Sequence, residues 1–124
     1  MTIDSPNIVA SGEPSRSAFA VAKLRAAHQL IDTPPVFDDP LALSILGSAH
    51  AAEVRAHPYN YDGAILRVVR TAMAVRSRLA EDELAAFVQA GGRQYVVLGA
   101  GLDTFGCRNT DPQLQVFEVD HPST

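Results

Sequence analysis

Cysteine occurs once in this 124-residue chain, at Cys107. A single thiol excludes an internal disulfide framework and fits a reducing compartment, so a cytoplasmic setting is expected. Positive charge is not in excess: ten Lys and Arg face fourteen Asp and Glu, a net charge of −4. Without a basic patch or a run of like charges, nucleic acid is not an expected partner. No stretch reaches the roughly eighteen consecutive apolar residues of a membrane span. The opening "MTIDSPNIVASGEPS" has neither the basic start nor the apolar stretch of a secretory leader. Metal-ligand spacing is missing too: His28, His50, His57 and His121 stand apart, and no H-E-x-x-H or paired C-x-x-C occurs. Cys107 has no neighbour that would mark it as a nucleophile, and the expectation is an inert thiol.

What is present is 47% hydrophobic, enough for one modest core. Residues 1–14 read as a flexible arm. "SRSAFAVAKLRAAHQLI" (15–31) is rich in alanine and unbranched side chains, and Ser15 or Ser17 can cap its start, so a helix is expected. The prolines of "DTPPVFDDP" (32–40) stop it. "LALSILG" (41–47) reads as a short helix ended by Gly47, and residues 48–61 are ambiguous, closing in a turn at "HPYNYDG".

A long helix should follow from Asp62 as N-cap to Gly91 and Gly92. Ile65, Val68, Val69, Ala72, Leu79, Ala80, Leu84 and Phe87 fall on one broad face, with Arg67, Arg70, Arg78 and Glu81 mostly on the solvated side. Arg76 breaks the pattern. At about 100° per residue it lands about 20° from Ile65, inside the apolar stripe. It either snorkels, pairs with Glu83, or meets the anion of a ligand.

"QYVVL" (94–98) and "QVFEV" (115–119) read as strands, the first of them buried. The connection between them suits a crossover with a small helix, so they should be parallel neighbours. The first strand runs into Gly99-Ala100-Gly101. Such a turn lets the chain bend tightly and lets a ligand approach bare backbone, although many glycine turns are only tight turns. Asp120, about twenty positions on, stands where a carboxylate takes ribose hydroxyls, with Glu118 beside it in sequence. Thr104 occupies the third glycine position of the dinucleotide fingerprint, and Asp103 puts negative charge where a pyrophosphate would lie. That disfavours a dinucleotide oxidoreductase. A phosphate-free adenosine ligand such as S-adenosylmethionine (SAM) fits better. Asp103 and Arg108 read as a helix cap and an ion pair bracing the loop. Tyr59 and Tyr61 read as surface packing, with a substrate-facing role as the alternative, and His121 as structural.

The stretches "RAAHQLIDTPPVFDDPLALSILG", "VRSRLAEDELAAFVQAGGRQYVVLGAGLDTFGCR" and "VFEVDHPST" resemble the amino-terminal half of SAM-dependent methyltransferases related to leucine carboxyl methyltransferase, nearest to its bacterial, actinomycete branch. The resemblance runs from about Ser17 to Thr124. It implies an α/β fold, the amino-terminal portion of a class I (Rossmann-like) methyltransferase: a helical extension over 15–92, then the first two parallel strands of the SAM-binding domain within 93–124. It implies SAM as cofactor and a small-molecule methyl acceptor, with a carboxylate among the candidates. Gly99 and Gly101 match the glycines lining the methionine side of SAM. Asp120 matches the ribose-holding acid, with Glu118 its companion in the motif. Arg76 matches the arginine that meets the SAM carboxylate, and Arg25 matches more loosely a basic residue serving the same group.

Two strands are too few to bury both faces of a doubly wound sheet. The expectation is therefore a shortened gene product, an excised piece, or a half-domain completed by a homodimer or a complementing chain, inactive in methyl transfer alone. The alternative is a non-catalytic module that binds a partner through an exposed strand edge.

Overall fold

The structure, a computed structural model, describes residues 14–122. The arm expected over 1–14 lies outside the described residues except for Pro14. The order of elements is α1 (Arg16–Ile31), a 3₁₀ turn (Ser44–Leu46), α2 (Gly47–Ala56), a second 3₁₀ turn (Pro58–Tyr61), α3 (Ala64–Gln89), β1 (Gln94–Leu98), α4 (Phe105–Arg108) and β2 (Gln115–Val119). This is a mixed α/β arrangement, helices first and then two parallel strands.

Helix α1 starts where the sequence places a cap: Ser15 Oγ accepts from the Ala18 N–H at 3.1 Å, satisfying a donor that has no partner in the helix itself. Its alanines allow close approach, and Ala22, Ala26 and Ala27 pack with Ala42, Leu46 and Val54 into the core. Past α1 the proline segment folds back onto the helix. Gln29 holds it there, donating to the Phe37 carbonyl at 2.9 Å and accepting from the Asp39 N–H at 3.1 Å. The segment 41–47 forms a 3₁₀ turn rather than an α-helix. Gly47 does end it at φ 76°, and α2 begins at that same glycine.

Helix α3 departs from the expected orientation. Gly63, not Asp62, is its N-cap; Asp62 ends the preceding 3₁₀ turn and accepts from Arg67 and Arg70. Arg70, expected on the solvated side, is 2% exposed, and the buried residues of α3 are Arg70, Ala74 and Leu84. Ile65 (79% exposed), Val68 (69%), Leu79 and Phe87 stay largely open. The reason is charge pairing. Arg70 donates to Asp32 through Nε at 2.8 Å and Nη2 at 3.0 Å, to Asp62 at 2.9 Å, and to the Tyr61 carbonyl at 2.6 Å. A guanidinium with these partners turns its own side of the helix inward. Ala74, one turn on, lets the helix sit close to its neighbours.

The strands pair as expected, with Gln94 opposite Gln115 and Leu98 opposite Val119. The reading of β1 as buried needs correction. One face carries Val96, Leu98, Phe117 and Val119, all about half exposed or more. On the other face Tyr95 packs edge-on against Phe105 of α4, with ring centroids 5.2 Å apart.

Candidate functional site

Leu98 ends β1 and the chain turns at once. Gly99 (φ 64°) and Gly101 (φ 58°) both adopt left-handed backbone, which costs a residue with a Cβ about 1–2 kcal/mol. Conformation, more than crowding, requires glycine here: a Cβ on Gly99 would meet nothing within 4 Å, and one on Gly101 only Ala18, its Cβ at 3.4 Å and Cα at 3.9 Å. The turn curls around the end of β2. Gly99 N–H donates to the Val119 carbonyl at 2.7 Å, and Gly101 N–H donates to Asp120 Oδ2. Asp120 Oδ1 accepts from the His121 N–H at 2.6 Å. These two N–H groups, His121 first and Gly101 second, hold the Asp120 carboxyl below the usual carboxylate range, so the charge is kept at neutral pH.

The turn, Asp120, α1 and α3 enclose a cleft of about 510 Å³, within the roughly 300–1,000 Å³ typical of small-molecule sites. Arg76 lines it from α3 and Arg25 from α1, together with Gly99, Gly101 and Asp120. Five of the six residues singled out in the sequence therefore meet in one cavity. The sixth, Glu118, is not among the lining residues; its carboxylate lies where a Cβ on Gly106 would come within 2.8 Å, beside α4.

The two arginines differ in availability. Arg25 is already engaged: Nη2 donates to the Leu102 carbonyl, and Nε lies 3.0 Å from Asp39 Oδ2. That Nε–H has no directed acceptor, so its attraction to Asp39 is one of charge, off the hydrogen-bonding line. Arg76 is exposed and makes no ion pair with Glu83 or with any other described residue. A cation with no carboxylate partner among the described residues, beside a bare-backbone turn, suits an anionic ligand group.

Arg108 forms the bracing ion pair expected of it, whereas the N-cap of α4 is Thr104, without a side-chain cap bond, and Asp103 lies one residue before it. Asp103 Oδ1 accepts from the Phe105 N–H at 2.7 Å at the start of α4. Arg108 binds Glu81 through both terminal nitrogens, which raises the Arg108 pKa further, and its guanidinium lies 5.4 Å from the Phe37 ring centroid. What the sequence did not disclose is the acid behind them. Asp39, 2% exposed, accepts from Thr104 Oγ1 at 2.8 Å. Its position in "FDDP" carries no pattern that announces a buried carboxylate. His28, which the sequence pattern does not mark as a metal ligand, is a second such case. It is buried, accepts from the Phe37 N–H at Nε2 (3.2 Å) and therefore donates from Nδ1 to Asp32 at 2.6 Å. Its spacing of four from Asp32 on α1 was the available signal. Cys107 is exposed. Among the described residues no group of three His, Cys, Asp or Glu could hold a metal ion, and no helix is long and apolar enough to cross a membrane.

The leucine carboxyl methyltransferase family profile matches residues 18–124. YktD of Bacillus subtilis (strain 168), provisionally named an S-adenosyl-L-methionine-dependent methyltransferase, is 35% identical over 90% of this chain and 44% of its own length. A similarly named protein of Parafrankia sp. (strain EAN1pec) is 38% identical over 86% of this chain and 35% of its own length. Another, from Mycobacteroides abscessus, is 34% identical over 96% and 39% respectively. The chain thus spans less than half the length of these relatives.

Proposed function

This chain belongs to the leucine carboxyl methyltransferase family, and from that premise we propose that its cleft binds S-adenosylmethionine, as the amino-terminal portion of a class I, Rossmann-like methyltransferase. SAM supplies a methyl group on a sulfonium, already a good leaving group. The residues present suit such a ligand. Asp120, kept ionised by two backbone donors, retains lone pairs for a vicinal diol. The left-handed turn at Gly99 and Gly101 offers main chain without side chains. Arg76 brings a guanidinium not engaged by any carboxylate among the described residues, suited to the ligand's own carboxylate. Thr104 and Asp103 make the same turn a poor phosphate cradle, which separates this reading from a dinucleotide site.

No side chain of the cleft is assigned as a base. With a cationic methyl donor the main requirement is alignment of nucleophile, methyl and sulfur, and a rigid turn serves that. Methyl transfer to an oxygen of a small molecule, a carboxylate among the candidates, is the activity proposed for this chain when the rest of the fold is present. For the 124-residue chain alone we propose binding without turnover.

The single observation carrying this reading is the convergence of Arg76, Asp120 and the glycine turn on one cleft. Titration calorimetry with SAM tests it. Arg76→Ala and Asp120→Ala should each weaken binding by about tenfold or more, the size of one charge-assisted hydrogen bond. Equal affinity in all three proteins would sink it. The bare sheet face of Val96, Leu98, Phe117 and Val119 favours a second reading, a half-domain that docks a complementing chain. On that reading SAM binds to none of the three.

A further inference from the structure

Behind the cleft lies a chain of polar groups that the binding reading does not use. Asp39 sits at its centre, with a side chain wholly shielded from solvent. Thr104 Oγ1 donates to its Oδ2 at 2.8 Å, the Leu41 N–H donates to its Oδ1 at 3.0 Å, and the guanidinium nitrogens Nε of Arg25 and Arg108 lie 3.0 and 3.5 Å away. An ionised carboxylate has about four acceptor sites, and here each is approached by a donor or a cation. Such saturation is what makes a buried charge tolerable.

The geometry points to Asp39 as a positioning residue that sets the glycine turn, acting at two points downstream of Gly101. It holds Thr104 directly. It holds Leu102 through Arg25, whose Nη2 donates to the Leu102 carbonyl. The peptide between these anchors follows directly on Gly101, whose N–H in turn donates to Asp120. A displacement of Leu102 or Thr104 would therefore reach the Asp120 carboxylate through one backbone donor. Thr104 is the sensitive link because its hydroxyl serves both sides: it donates to Asp39 and accepts from Arg108 Nε at 3.0 Å. Arg25 then acts on the ligand through the turn, while Arg76 acts on it by charge. The ligand arm of this inference rests on the SAM reading above; the link from Asp39 to Gly101 does not.

Thr104→Val keeps the side-chain shape and removes the hydroxyl, and Thr104→Ser restores it. In the ligand-free protein, the Gly101 amide should exchange its hydrogen about tenfold faster in Thr104→Val, one hydrogen bond's worth, with the Ala26 amide of the core unchanged. Affinity for S-adenosylhomocysteine and for 5′-methylthioadenosine, which lacks the amino-acid portion, should fall by the same factor. Thr104→Ser should return all three to within about twofold. Arg76→Ala should weaken S-adenosylhomocysteine alone. If Thr104→Val does not fold, Arg25→Gln, which removes the arm to Leu102 together with the ion pair to Asp39, carries the same expectation. Unchanged Gly101 exchange, or a loss confined to S-adenosylhomocysteine, overturns the positioning role. If the unmodified protein binds neither nucleoside, the SAM reading fails, and Gly101 exchange alone decides the role of Asp39.

Discussion

Arg70 and Asp32 form a two-pronged ion pair across 38 positions of sequence, with Nε and Nη2 of one on the two carboxylate oxygens of the other. The pair joins α3 to the end of α1, and Asp32 is shared with His28. Removing one member strands the other. Asp32→Asn leaves the buried Arg70 guanidinium with Asp62 as its one carboxylate, beside the Tyr61 carbonyl and a neutral amide oxygen. The expected loss of unfolding free energy is about 2–4 kcal/mol, somewhat below that of a wholly buried pair because Asp32 keeps some solvent contact. Arg78→Ala, which removes an exposed pair with Asp82, should cost at most about 0.5 kcal/mol. Urea unfolding at neutral pH compares them; equal losses would refute the distinction.

The same pair predicts a pH response. Hydrogen bonds from Arg70, and secondarily from His28, hold the Asp32 carboxyl below its ordinary value. A carboxyl whose folded-state pKa is depressed contributes stability fully above the unfolded value of about 3.9 and loses it as pH falls through the folded value. The stability gap between the unmodified protein and Asp32→Asn should therefore hold from pH 7 to about 5 and narrow below about 4. A gap that stays constant down to pH 3 would contradict this.

Gly99 lies at φ 64° with open space where a Cβ would be. Its replacement cost is therefore conformational. Gly99→Ala should lose about 1–2 kcal/mol, and Gly99→Asn less, because asparagine visits the left-handed region more readily. Thermal unfolding of the two variants checks the order; a reversed order would mean that crowding, not backbone conformation, selects glycine.

Arg76 is exposed within the cleft, so whatever charge attraction it exerts is open to screening. Raising salt from about 0.05 M to about 0.5 M should shrink the difference in SAM affinity between the unmodified protein and Arg76→Ala. A difference indifferent to salt would point to packing by the arginine stem instead.

Local pattern was enough to locate most elements. The α1 cap at Ser15, the boundaries and parallel pairing of 94–98 with 115–119, and the glycine turn all follow from interactions within a few residues or from alternation along a strand. The convergence of Arg76, Arg25 and Asp120 was also legible, because a family resemblance carries long-range information that periodicity lacks.

Burial of charge was not legible. Arg70 and Arg76 sit on one helix with similar neighbours, yet the first is enclosed and the second open. The difference comes from Asp32 and Asp62, which reach Arg70 only after the chain has folded back. Asp39 is the same case: an acid in a proline loop becomes the anchor of the glycine turn because Thr104 arrives from 65 positions away. Residue type and spacing decide where helices, strands and turns form, since those depend on short-range sterics and hydrogen bonding. Which charges are desolvated depends on partners brought together in space, and only the packed chain decides that.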